Sequence, residues 1–124
     1  MNNDILMMLG ELIIEKARDD SISCLLGEIK GNINSYQGIQ MRKLLVDFDE
    51  EQLAIIAELI PTIVDTSLHY FLDMIDSSEE LKLLFLDEKS NYIDIKELSD
   101  GLAGELYSDE GWIAKFSKQP LGLE

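Results

Sequence analysis

Cations are scarce in this chain: 10 lysines and arginines stand against 25 aspartates and glutamates in 124 residues, a formal charge of −15. Phosphate backbones and anionic membranes are held by clustered cations that displace counterions, so both are excluded as direct partners. A single cysteine, Cys24, excludes an internal disulfide and any stapled secreted scaffold. It lies in the apolar run Cys24-Leu25-Leu26 with no neighbouring His or Lys, and is expected to be a buried small hydrophobe. The single histidine, His69, is far from it in sequence. No Gly-x-Ser-x-Gly elbow, phosphate loop or dinucleotide fingerprint occurs, so no enzyme, cofactor or metal centre is expected. The start Met1-Asn2-Asn3-Asp4 lacks the positive charge of a secretory signal. The longest apolar stretch, Leu53 to Leu72, is broken by Glu58, Asp65 and His69, so a cytoplasmic protein without a membrane span is expected.

What the chain does have is apolar content, 46% hydrophobic, in helical spacing. That separates it from disordered chains of equal acidity and predicts one folded domain, residues 1–124. The expected class is mostly α, a helical bundle with a long central helix and a small C-terminal β-hairpin. Asn3 can cap a first helix carrying Ile5, Met8, Leu9, Leu12 and Ile13, which should end near Arg18. Asp19-Asp20-Ser21 then caps a second helix through Ile22, Leu25, Leu26, Ile29, Ile33 and Tyr36, broken at Gly38. Asp49-Glu50-Glu51-Gln52 is a capping-box signal. From it Leu53, Ala57, Ile60, Val64, Leu68, Phe71 and Ile75 recur every three or four residues. The stripe keeps its phase across Pro61, which predicts one kinked helix or two nearly continuous ones. Ser77-Ser78-Glu79-Glu80 predicts a short helix through Phe85. Residues 92–96 alternate like a strand, whereas Ile95-Lys96-Glu97-Leu98 equally suits a helix start. A hairpin is expected around the turn Ser108-Asp109-Glu110-Gly111.

The charge is uneven. Residues 73–110 hold twelve acids and three lysines, net −9, whereas residues 111–124 come to +1. Asp65, His69, Asp73 and Asp76 share a helix face, which is a solvated surface or, alternatively, a metal or acid–base site. Residues 79–98 resemble an EF-hand, with Glu88, Ser90, Asp94 and Glu97 at ligand positions. Leu86 at the first position cannot ligate, and Asn91 stands where the turn wants Gly. A calcium- or metal-responsive module is therefore the alternative reading. Tyr107 and Trp112 bracket the acidic turn, as interface anchors or as core.

Size, acidity and helicity, with the run Glu97-Leu98-Ser99-Asp100-Gly101-Leu102-Ala103-Gly104-Glu105-Leu106-Tyr107 and the following 111–118, resemble bacterial immunity proteins. The likeness is to the immunity partners of contact-dependent growth inhibition systems. It implies a non-enzymatic protein that binds and neutralises a basic toxin domain, in the leading form a nuclease. The expected contact surface comprises Asp73, Asp76, Glu79, Glu80, Asp87, Glu88, Asp94, Glu97, Asp100, Tyr107, Asp109 and Glu110. Its carboxylates would replace phosphates, and Tyr107 would supply an apolar anchor.

Overall fold

The computed structural model describes residues 2–119, with the side chains of Asn2 and Asn3 outside that description. The fold is mostly helical, with a long central helix and a small antiparallel hairpin towards the C-terminus. Helix α1 (Asn2–Leu12) leads into a π-helical segment (Ile13–Asp19) and then α2 (Asp20–Lys30). Leu12, Asp19 and Asp20 all keep right-handed helical angles. The break expected at Asp19-Asp20-Ser21 is therefore absent: the chain stays helical and changes pitch instead. The wider π turn takes up an extra residue, and both Arg18 and Asp19 are buried there.

Gly31, not Gly38, ends α2. It adopts φ 84°, the left-handed conformation that Gly takes without a Cβ penalty. The N–H groups of Asn32 and Ile33 then both donate to Gly27 O, at 2.9 and 3.1 Å. Gly38 lies inside α3 (Tyr36–Leu44), whose cap is Ser35. Helix α4 (Glu50–Ser77) opens with the expected reciprocal capping box. Asp49 Oδ1 accepts from Gln52 N at 2.8 Å, and Gln52 Oε1 accepts from Asp49 N at 2.9 Å. The 28-residue helix runs through Pro61 as one element.

The short helix expected after Ser77 does not form. Strands β1 (Leu84–Leu86) and β2 (Tyr92–Asp94) pair there instead, with Phe85 opposite Ile93. This hairpin closes through Asp87, whose Oδ1 accepts from Lys89 N and Asn91 N, both at 2.9 Å. The helix–loop–helix of an EF-hand is thus replaced by a hairpin and a 3₁₀ turn (Ile95–Leu98). The expected hairpin around 108–111 is also corrected. The turn itself exists, with Gly111 N donating to Ser108 O at 3.1 Å, but its flanks are a 3₁₀ turn (Ala103–Leu106) and α5 (Trp112–Phe116). Leu106 and Trp112 reach the core from these helical flanks.

The core joins the C-terminal half of α4 to α1 and the C-terminal third. Ile14, Leu72, Ile75, Ile95, Leu102, Leu106, Trp112 and Ile113 form it. The Trp112 ring lies so close to α1 that a Cβ on Gly10 would sit 2.5 Å from it. Trp112 is therefore core, the second of its two expected roles. The buried edge of α4 differs slightly from the expected stripe: Leu72 is buried and Phe71 is exposed.

Candidate partner-binding surface

The acids of residues 73–110 divide by what they touch. Asp76 lies in the last turn of α4 and accepts from Leu102 N and Ala103 N, at 3.0 and 3.1 Å. Asp87 holds the hairpin loop, and Asp94 accepts from Lys96 N at 3.1 Å to start the 3₁₀ turn. These three orient backbone, as short acidic side chains do at turns and caps. Asp73, Glu79, Glu80, Glu88, Glu97, Asp100, Asp109 and Glu110 are exposed. Among the described residues none of these twelve expected positions takes part in an ion pair. Residues 73–110 therefore carry net −9 in largely exposed, unpaired acids, whose field is strongest at low salt.

Glu97 and Asp100 come together at a cleft of about 550 Å³ that also includes Glu105, Leu6, Trp112 and Lys115. Glu105 was not among the expected contact residues. Its carboxylate accepts from Ser99 Oγ at 2.9 Å. The signal for it was present, since it belongs to the same acidic stretch, but only the fold shows that it shares a wall with Glu97 and Asp100.

Tyr107 is exposed, as an anchor requires, and its hydroxyl lies 3.0 Å from His69 Nδ1. Partial burial, and then the charge of Asp65, push its hydroxyl pKa up, so it stays protonated. Asp65 is occupied by Arg18, which donates from Nε at 2.6 Å and from Nη2 at 3.3 Å. Arg18 is fully buried and also donates to Asp19 and to Ser117 Oγ. Nothing in the local sequence signals this network, because its members lie 47 and 99 residues apart. With Asp65 and Asp76 so engaged, the His69 face does not assemble a ligand set. Among the described residues no three His, Cys, Asp or Glu side chains are placed to hold a metal.

Cys24 is exposed, not buried as expected. Its thiol donates to Glu28 Oε1 at 2.9 Å, and this hydrogen bond, before burial and the Glu28 charge, raises its pKa. A protonated thiol of raised pKa is a poor nucleophile. Glu28 itself is buried, and Gln37 Nε2 donates to both of its oxygens, at 3.2 and 3.1 Å.

A second surface is apolar. Ile55, Leu59, Ile63, Tyr70, Phe71 and Met74 of α4 are all exposed. By length and composition α4 is apolar enough to cross a membrane, a property its interrupting charges conceal in the sequence. No protein-family model, curated protein or solved structure matches the chain.

Proposed function

We propose that the chain is a non-enzymatic immunity protein that binds and neutralises a basic toxin domain, with a nuclease as the leading target. The contact-dependent growth inhibition type is the family it resembles, and the bacterial cytoplasm is where it would act. One observation carries the reading: the acids of residues 73–110 are largely exposed and unpaired, at net −9. A nuclease groove must be cationic to hold phosphates, so a surface of fixed carboxylates competes for it and speeds encounter. Glu97, Asp100 and Glu105, which outnumber Lys115 in a cleft also lined by Leu6 and Trp112, suit a lysine or arginine whose stem packs while its head is neutralised. Tyr107, exposed against His69 of α4, would add a rigid aromatic of small entropy loss.

The test is capture of the tagged chain's partner from its native host at low salt, followed by elution with rising salt. The expected result is one stoichiometric basic protein whose nuclease activity is suppressed by the chain and returns on elution. Recovery of no basic partner at low salt overturns the reading. Reversal of Glu97 and Asp100 to lysine is expected to slow association at low salt about tenfold or more, measured by stopped-flow mixing with the recovered toxin.

A further inference from the structure

Helix α4 separates two very different environments. Its core side holds Ile60, Pro61, Leu72 and Ile75, which are buried. About a quarter to half a turn away lies the line Ile55, Leu59, Ile63, Tyr70 and Met74, since residues four apart drift by only about 40° around a helix. Ile55 is 58% exposed, Ile63 59% and Tyr70 65%. One edge of this line opens into a groove between α4 and the helical run 13–25. That groove is about 510 Å³, and Ile13, Ala17, Leu25, Val64, Leu68 and Phe71 are among its walls. The other edge carries Glu51, Glu58 and Asp73, all exposed. Thr66 and Ser67 interrupt the line between Ile63 and Tyr70, yet monomeric proteins rarely leave an apolar face of this kind uncovered.

We infer that this face of α4 and its groove dock an amphipathic helix of a partner protein, apolar side inward and lysines or arginines over Glu51, Glu58 and Asp73. The groove lies between two helices and is lined almost wholly by hydrocarbon, which is the geometry that seats a third helix by its i, i+4 and i+7 side chains. The acidic edge selects the flanks of that helix. A second copy of the chain is disfavoured by charge, because pairing two chains of −15 would set acidic edges against each other. An anionic bilayer is disfavoured by the same field. The inference rests on the reading of a basic protein partner and goes further by naming the surface that buries apolar area. It gives the acidic C-terminal third the separate task of steering.

The probe is a synthetic 18-residue peptide with leucines along one helical face and arginines on its flanks. A control peptide of identical composition scatters the leucines around the helix. By fluorescence anisotropy at physiological salt, the patterned peptide is expected to bind 1:1 and about tenfold more tightly than the control, a difference set by apolar pattern alone. Ile63→Asp with Phe71→Asp is expected to weaken it by about tenfold or more, and Glu51→Lys with Glu58→Lys to flatten its salt dependence. Asp4→Asn with Glu11→Gln, both exposed on α1 and part of neither surface, should leave it within about twofold. Circular dichroism melts of each variant check that the fold is retained. Equal binding of both peptides would overturn the inference, as charge alone would then suffice. Self-association abolished by Ile63→Asp would assign the face to a second copy. Partition onto neutral phosphatidylcholine vesicles, abolished by the same change, would assign it to lipid. A recovered toxin bound equally by Ile63→Asp and unmodified chain would also overturn it, while leaving the toxin reading intact. Peptide docking without any toxin partner would do the reverse.

Discussion

The two ends of α4 handle the same kind of residue in opposite ways. At the C-terminal end, leucine, isoleucine and tryptophan from four parts of the chain close into one core around Leu72 and Ile75. At the N-terminal end, α2 lies alongside and α3 packs on α2, yet Ile33, Tyr36, Ile39, Leu44, Val46, Phe48, Ile55 and Leu59 stay exposed. Buried groups there are few and partly polar, Glu28 among them. The sequence is apolar enough for both ends to close, so composition does not separate them. What does is the supply of covering elements. The hairpin, two 3₁₀ turns and α5 all pack on the core at the C-terminal end, whereas the other end is covered only by α2, with α3 on α2. The inner face of the C-terminal end is therefore a finished core, whereas the N-terminal end and the outer face as far as Met74 remain surface.

Substitutions should respond in proportion to that difference. Trp112→Ala removes the largest buried side chain and leaves a void against Gly10, and is expected to lower unfolding stability by about 3–5 kcal/mol in a urea titration. Arg18→Met keeps the volume but leaves the Asp65 and Asp19 carboxylates without their guanidinium, with an expected loss of about 3 kcal/mol in the same assay. Recovery of that loss in Arg18→Met combined with Asp65→Leu would separate charge from packing.

Acid exposes the weaker end. The Cys24 thiol, then Gln37 and Ser35, hold the Glu28 carboxyl below its ordinary value against the opposing effect of burial. A lowered folded-state pKa gives stability that is present above the unfolded carboxylate value of about 4.3 and is lost as pH falls through the folded one. Glu28→Gln should therefore destabilise at neutral pH, with the difference from the parent narrowing below about pH 4 in thermal melts. The smallest effect is expected at Ile55→Ser and Ile63→Ser. Both sites are more than half exposed, and serine nearly matches isoleucine in helix propensity, so stability should change by within about 0.5 kcal/mol. A loss of several kcal/mol there would mean that this end is packed after all, and the contrast would fail.

What was legible in the sequence was local. Asp49 and Gln52 cap α4 because both bonds span three residues, and the stripe from Leu53 to Ile75 marks the helix correctly except at Phe71, where Leu72 is buried instead. The turn at Ser108–Gly111 could be read for the same reason. Its flanks could not, because burial of Leu106 and Trp112 against distant helices decides their form. The helical run across Asp19 and Asp20 was hidden similarly: two acids read as a cap, yet Asp19 accepts from Ser117 Oγ and Lys118 N, 98 and 99 residues away. The acidic surface was visible as composition. The engagement of Asp76, Asp87 and Asp94 by backbone, and the arrival of Glu105 beside Glu97 and Asp100, needed the fold.

The clamp of Arg18 and Asp19 on Ser117 and Lys118 also fixes an order of events. Contacts separated by nearly the whole chain carry the largest loop-closure entropy and form after local ones. Helices from α1 to α4 can collapse as neighbours while the chain is still being made, whereas the core around Leu72 cannot close until Trp112 and Ile113 have left the ribosome. Until then Ile14, Leu72 and Ile75 lack Trp112 and Ile113 from their cluster. Docking of residues 112–118 thus converts one of two apolar faces into interior and leaves the other exposed.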